Sequence, residues 1–115
     1  MATAEETDLS HLLGLDPDKM NDEKFTAFKE ELCELVPRHL EEEQGPDGLF
    51  QRSRQRGPAY ARLVDKLAHD HRVLRREIAH LKRLRASSRT ARLEAKSLLH
   101  RLREHEKEEK ALMAT

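Results

Sequence analysis

Three histidines and two glutamates occupy positions where a helical sequence would place leucine. Leu98, Leu102, His105, Glu109 and Leu112 follow one another at intervals of four, three, four and three, the spacing of one inward helical stripe. Phe25, Phe28, Leu32, Leu35 and His39 run at three, four, three and four, with Glu43 one turn beyond; Leu67, His71, Leu74, Ile78 and Leu81 form a third row. A polar group buried without a partner costs roughly 2 to 7 kcal/mol, and a charge costs more. Three helices that each turn such groups inward therefore point to a shared partner, and metal ions are its natural class.

A His and a Glu four residues apart project from the same helical face one turn apart, so the imidazole can bind one metal while the carboxylate reaches across to a second. His39 with Glu43 and His105 with Glu109 are such pairs. Together with His71 they supply imidazole and carboxylate, a donor set that suits iron, manganese or zinc. His100 with Glu104 has the same spacing but lies off the inward stripe and reads as a solvated pair, and His69 lies two positions from its row. Asp70, Glu42 and Glu108 are close enough in sequence to hold the far nitrogens of the imidazoles. The competing reading makes the three histidines core residues bonded to buried glutamates, with no metal.

The elements that must position these groups follow from composition and punctuation. In 115 residues there are 3% aromatics and no Trp, while Leu, Ala, Glu, Lys and Arg dominate; this favours helices. The fold class expected is all-α: an up-and-down antiparallel bundle of three long helices plus a short N-terminal helix. Residues 1–19 form the N-terminal segment, with Met1–Thr7 frayed and a brief helix through His11-Leu12-Leu13; residues 20–115 form the bundle. Asn21 or Asp22 starts the first long helix, which Pro37 should kink ahead of His39. Gln44–Gly48 ends it, Leu49-Phe50 offers a hydrophobic plug, and Gln51–Arg56 reads as a polar connection. Pro58 suits the first turn of a helix from about Ala59 to Leu84. Ser88 can cap the last helix, from about Arg89 almost to the C-terminus. Tyr60 reads as a cap on the core.

Charge is divided along the chain. Residues 1–50 hold 14 acidic and 4 basic side chains, a net −10; residues 51–115 hold 18 basic and 8 acidic, a net +10. The halves should attract each other across the fold or across a dimer. The basic stretch lacks a helix-turn-helix signature, a zinc finger or stacking aromatics, which argues against nucleic acid as a partner. Cys33, the single cysteine, cannot form an internal disulfide and reads as a packing residue. With no signal-peptide core and no run approaching the roughly 20 apolar residues of a membrane span, the expected setting is cytoplasmic, with no membrane partner. There is no phosphate loop, serine elbow or cysteine pair, so any turnover would have to come from metals.

Arg38-His39-Leu40-Glu41-Glu42-Glu43 followed by Gly48-Leu49-Phe50, then Leu67-Ala68-His69-Asp70-His71-Arg72-Val73-Leu74, then Leu102-Arg103-Glu104-His105-Glu106-Lys107-Glu108-Glu109 with Leu112-Met113, resemble the successive motifs of the hemerythrin-like, or HHE cation-binding, family. The resemblance spans about residues 25–113. It implies a four-helix bundle around two non-heme irons joined by an oxo or hydroxo bridge, with manganese or zinc as substitutes. By motif, His39 and Glu43 would be the second-helix ligands, His71 the third-helix ligand, and His105 and Glu109 the fourth-helix pair. Whether Glu42 or Glu43 bridges is left open. The first helix of the family is nearly missing, and His11 is the residue left to supply its ligand. The implied function is binding or sensing of dioxygen, or reaction with peroxide or nitric oxide; a shortened bundle also implies a homodimer. The alternative is a metal-free helical dimerisation module.

Overall fold

Each long helix begins where the chain supplies a device to begin it. The Asn21 side chain accepts a hydrogen bond from the Lys24 backbone at 2.7 Å, Pro58 stands at the first helical position of its segment, and Ser88 Oγ accepts from the Ala91 backbone at 3.1 Å; all three satisfy or remove an orphan backbone donor. The computed structural model describes residues 8–114, so the expectation for Met1–Thr7 lies outside the described residues. The helices are α1 (Ser10–Leu13), α2 (Asp22–Gln44), α3 (Leu49–Arg54), α4 (Pro58–Arg83) and α5 (Arg89–Ala114), with a 3-10 turn at Pro17–Lys19. The described chain is all-helical, and α2 continues for about two turns beyond Pro37.

The side-chain partners fix how the long helices run. Along α4 and α5 the pairs are Lys66 with Glu108, His71 with His105, Glu77 with Arg101 and His80 with Glu94. Numbers rising on one helix meet numbers falling on the other, so the two are antiparallel. Likewise Lys29 of α2 reaches the Leu84 carbonyl just past α4, while Glu43 and Gln44 meet His71 and Arg75. The oppositely charged halves of the chain also pair, through Arg92 with Asp22 and Lys96 with Asp18.

Among the described residues, two apolar clusters fill the interior. The larger holds Phe25, Leu32, Val36 and Leu40 of α2, Leu74, Ile78 and Leu81 of α4, and Leu98, Leu99 and Leu102 of α5. Leu9 and Leu12 join it, so the N-terminal segment shares the core of the bundle. Cys33 lies there too, buried as a packing residue. The smaller cluster holds Leu49, Phe50, Val64, Leu67 and Leu112, with Tyr60 against it. In α4 the change of cluster comes between Leu67 and Leu74, and in α5 between Leu102 and Leu112. The residues between them, His71 on one helix and His105 with Glu109 on the other, are buried and polar.

One element departs from expectation. Residues 51–54, read from sequence as part of a polar connection, continue the helix α3 begun by Leu49 and Phe50. Its apolar first turn and the buried Ser53 anchor a basic segment that composition alone presents as a loop. Gly48 makes this possible: a Cβ there would sit 2.4 Å from the Glu42 carbonyl oxygen and 2.6 Å from that of Glu43, so glycine lets α3 fold back across the end of α2 without displacing that backbone. Phe50 then reaches under the bundle, its ring centroid 4.6 Å from that of His71.

Candidate metal centre

Helical phase brings the inward row of each long helix to one level. α2 delivers His39 and Glu43, α4 delivers His71, and α5 delivers His105 and Glu109; all five are at least nine-tenths buried. His71 Nε2 lies 3.0 Å from His105 Nε2 and 2.9 Å from Glu43 Oε1. His105 Nε2 lies 3.7 Å from Glu43 Oε1 and 3.2 Å from Glu109 Oε2. On the other side, His39 Nε2 stands 3.2 Å from Glu43 Oε2, 3.9 Å from Glu109 Oε1 and 2.9 Å from Glu106 Oε1.

These atoms form two groups with ligand-type spacing, one of Glu43, His71, His105 and Glu109 and one of His39, Glu43, Glu106 and Glu109. Glu43 and Glu109 belong to both. Each turns one carboxylate oxygen toward the His71/His105 side and the other toward His39. Donor atoms sharing an ion at 2.0–2.2 Å stand roughly 2.9 to 3.6 Å apart in tetrahedral or octahedral geometry, close to most of the separations found here. Glu109 Oε2 is buried and accepts no well-directed hydrogen bond, although His105 Nε2 is 3.2 Å away. A buried carboxylate oxygen without a directed donor is available to serve as a ligand. The buried His/Glu cluster can thus hold metal, and its imidazole and carboxylate donors fit iron, manganese or zinc.

Electrostatics show how protons hold the cluster together. Burial would push the His39 imidazole down, but its contacts with Glu106, Glu109 and Glu43 outweigh that and hold it protonated. His105 follows the same pattern, raised to about 10 against burial by Glu109 and Glu43. Burial prevails at His71, whose pKa is lowered, so that ring is neutral. Glu43 stays ionised against its burial because three imidazoles surround it. At Glu109 burial wins over the imidazoles, and the carboxyl is raised. Two protonated imidazoles among three carboxylates is the arrangement that cations would replace.

Outside the cluster, Asp70 Oδ2 lies 3.5 Å from His105 Nδ1, on the side that leaves Nε2 directed at the carboxylates. Lys66 in turn holds Asp70 at 3.2 Å and pairs with Glu108 across the α4/α5 seam. Of the three candidates for this supporting role, Asp70 fills it directly and Glu108 through Lys66. Glu42 is half-buried and stands outside both groups, so Glu43 is the glutamate that α2 turns into the cluster. His69 and His100 are exposed.

His11 is not brought to the cluster. It is exposed and bonded through Nε2 to Glu31 Oε1 at 2.6 Å. The short α1 buries Leu12, with Leu9 just before it, and that phase turns His11 outward. Glu106, which the row of threes and fours does not include, stands beside His39 instead. Its signal is faint but physical: a core-facing helix presents an apolar face wider than one residue per step, and Glu106 adjoins His105 on that face.

No family model matches the chain, and no curated protein or solved structure matches it.

Proposed function

We propose that this chain is a hemerythrin-like dinuclear non-heme iron protein that binds or senses dioxygen. The observation that supports it is the sharing of Glu43 and Glu109 between two donor groups, each carboxylate offering one oxygen to either side. A single-ion site has no use for that division; a pair of ions does. His39 and Glu106 would hold one ion, His71 and His105 the other. When bound, a pair of irons would supply reversible electron transfer to dioxygen.

The chain's own residues serve such a centre in three ways. Glu43 and Glu109 keep the two positions at a fixed separation, because each is anchored one helical turn from a histidine of its own helix. Asp70 orients the His105 ring so that its Nε2, not its Nδ1, faces the centre. Phe50, Leu67 and Leu112 below, with Leu40, Leu74 and Leu102 above, keep water from the interior around it.

The deciding experiment is elemental analysis of protein purified without chelator, with visible absorption recorded before and after exposure to air. Near two irons per chain with a colour change on oxygenation is the expected result. A colourless, metal-free and fully folded protein would hand the chain to the metal-free interaction module.

A further inference from the structure

The two halves of the cluster differ in chemistry and in exposure. Toward α4 the donors are two imidazoles, His71 and His105, with one oxygen each from Glu43 and Glu109. Toward the α2/α5 side they are one imidazole, His39, and three carboxylates, because Glu106 Oε1 stands 2.9 Å from His39 Nε2. The side chains of His71 and His105 are 1% and 2% exposed, whereas that of Glu106 is 23% exposed. One position is therefore nitrogen-rich and sealed; the other is oxygen-rich, its Glu106 Oε1 buried while the rest of that side chain reaches solvent.

From this asymmetry we infer that Glu106 makes the outer position a separate, weaker and harder cation site, which takes Mn2+ readily and exchanges its ion while the inner position retains Zn2+ or Fe2+. The inference rests on the dinuclear reading given above. Imidazole donors favour zinc and iron, while carboxylates suit manganese and magnesium, so swapping one imidazole for one carboxylate shifts selectivity in a definite direction. Exposure adds a kinetic difference, since the partly exposed Glu106 side chain can swing outward and release an ion without the inner ring pair being disturbed. Loading is consequently ordered: the inner position fills first, and Glu106 governs the second step alone.

The test is a titration of the metal-free full chain with Zn2+, followed by uptake of Mn2+ by the protein carrying one equivalent of zinc. Bound metal is read by elemental analysis and Mn2+ by electron paramagnetic resonance. The expected wild-type result is one tight equivalent of Zn2+, a second weaker by about tenfold or more, and one Mn2+ taken up beside the first zinc. Glu106→Gln should leave the first step unchanged and weaken the second by about tenfold or more, at least the loss that follows removal of an outer partner of a metal ligand. Glu106→His should restore nitrogen to the outer position and bring the two zinc steps together while weakening the uptake of Mn2+. Two indistinguishable zinc equivalents in the wild type, or equal weakening of both steps by Glu106→Gln, would overturn the inference and leave the dinuclear reading standing. A folded wild-type protein that binds neither metal would remove that reading, and the inference with it.

Discussion

His and Glu meet in two kinds of place in this molecule. On the surface, His11 lies 2.6 Å from Glu31 and His80 lies 3.1 Å from Glu94. In the interior, His39 with Glu43 and His105 with Glu109 are each 3.2 Å apart. The interior contacts His71–Glu43 and His39–Glu106 are 2.9 Å, so distance alone does not separate the two classes. What separates the classes is surroundings: the surface pairs are isolated and hydrated, while the interior pairs converge with His71 between two apolar clusters and share their carboxylates. A short contact between opposite charges therefore says little about chemistry, and convergence under burial says much. Exposed pairs contribute about 0 to 1 kcal/mol, whereas a buried ion left without its partner costs several.

Breaking the interior class should give the largest effects. His105→Ala removes the imidazole that both Glu43 and Glu109 face, and the metal-free protein should lose about 3 to 5 kcal/mol in urea denaturation. Replacing His105 and Glu109 together by leucine should return much of that loss, because a packed apolar pair is often no worse than a buried ionic one, yet metal binding should not return. If the double variant is as unstable as the single, the polar layer is holding the fold together by itself and the ligand reading weakens. In the unsubstituted chain, metal in hundredfold excess over its Kd should add about 2.7 kcal/mol of stability, reversed by chelator.

The pH dependence of the metal-free protein sharpens the contrast further. The His105 pKa stands at about 10 in the folded state, against about 6.5 for an unperturbed imidazole. A raised pKa stabilises the fold fully below the unfolded value, and that contribution is lost as pH climbs through the folded one. The urea midpoint should accordingly fall between about pH 6.5 and 10; His39, also held protonated, acts in the same direction, so His105→Leu should reduce that slope without abolishing it.

The sequence and the structure agree most where helical phase is carried by many residues. α2, α4 and α5 and the caps Asn21 and Ser88 were legible because long leucine rows fix both the extent and the inward face of each helix. His39, Glu43, His71, His105 and Glu109 were legible for the same reason: they interrupt those rows without breaking their period. Short elements were not. In α1 only Leu9 and Leu12 set the phase, too few to be read against His11, and α3 carries its two apolar residues in one turn followed by basic ones. Glu106 lies about 100° around the helix from His105, off the narrow stripe but on the broad face that α5 turns inward. Spacing finds the middle of a buried face; the partner helices decide how wide that face is.

Gly48 tests whether the interior class depends on backbone fit as well as on side chains. Its φ of −76° suits any residue, so Gly48→Ala brings no conformational strain. The added methyl would instead meet the carbonyl oxygens of Glu42 and Glu43 at 2.4 and 2.6 Å, and backbone rather than a flexible side chain must move. A loss of about 1 to 3 kcal/mol is expected, the usual scale of overpacking. Because the residue that shifts carries the shared Glu43 carboxylate, metal affinity should fall as well, read in the same zinc titration.

The smallest expected effect belongs to the surface pairs, and it serves as the control that gives the others meaning. His80→Ala removes the contact with Glu94, whose side chain is 29% exposed beside a half-exposed imidazole. Water replaces the lost partner on both sides, so stability should change by no more than about 1 kcal/mol. Metal stoichiometry should be unchanged, since neither residue belongs to the buried groups. A loss of bound metal in His80→Ala would mean that the chain holds its ions at the surface, and the distinction between the two kinds of pair would collapse.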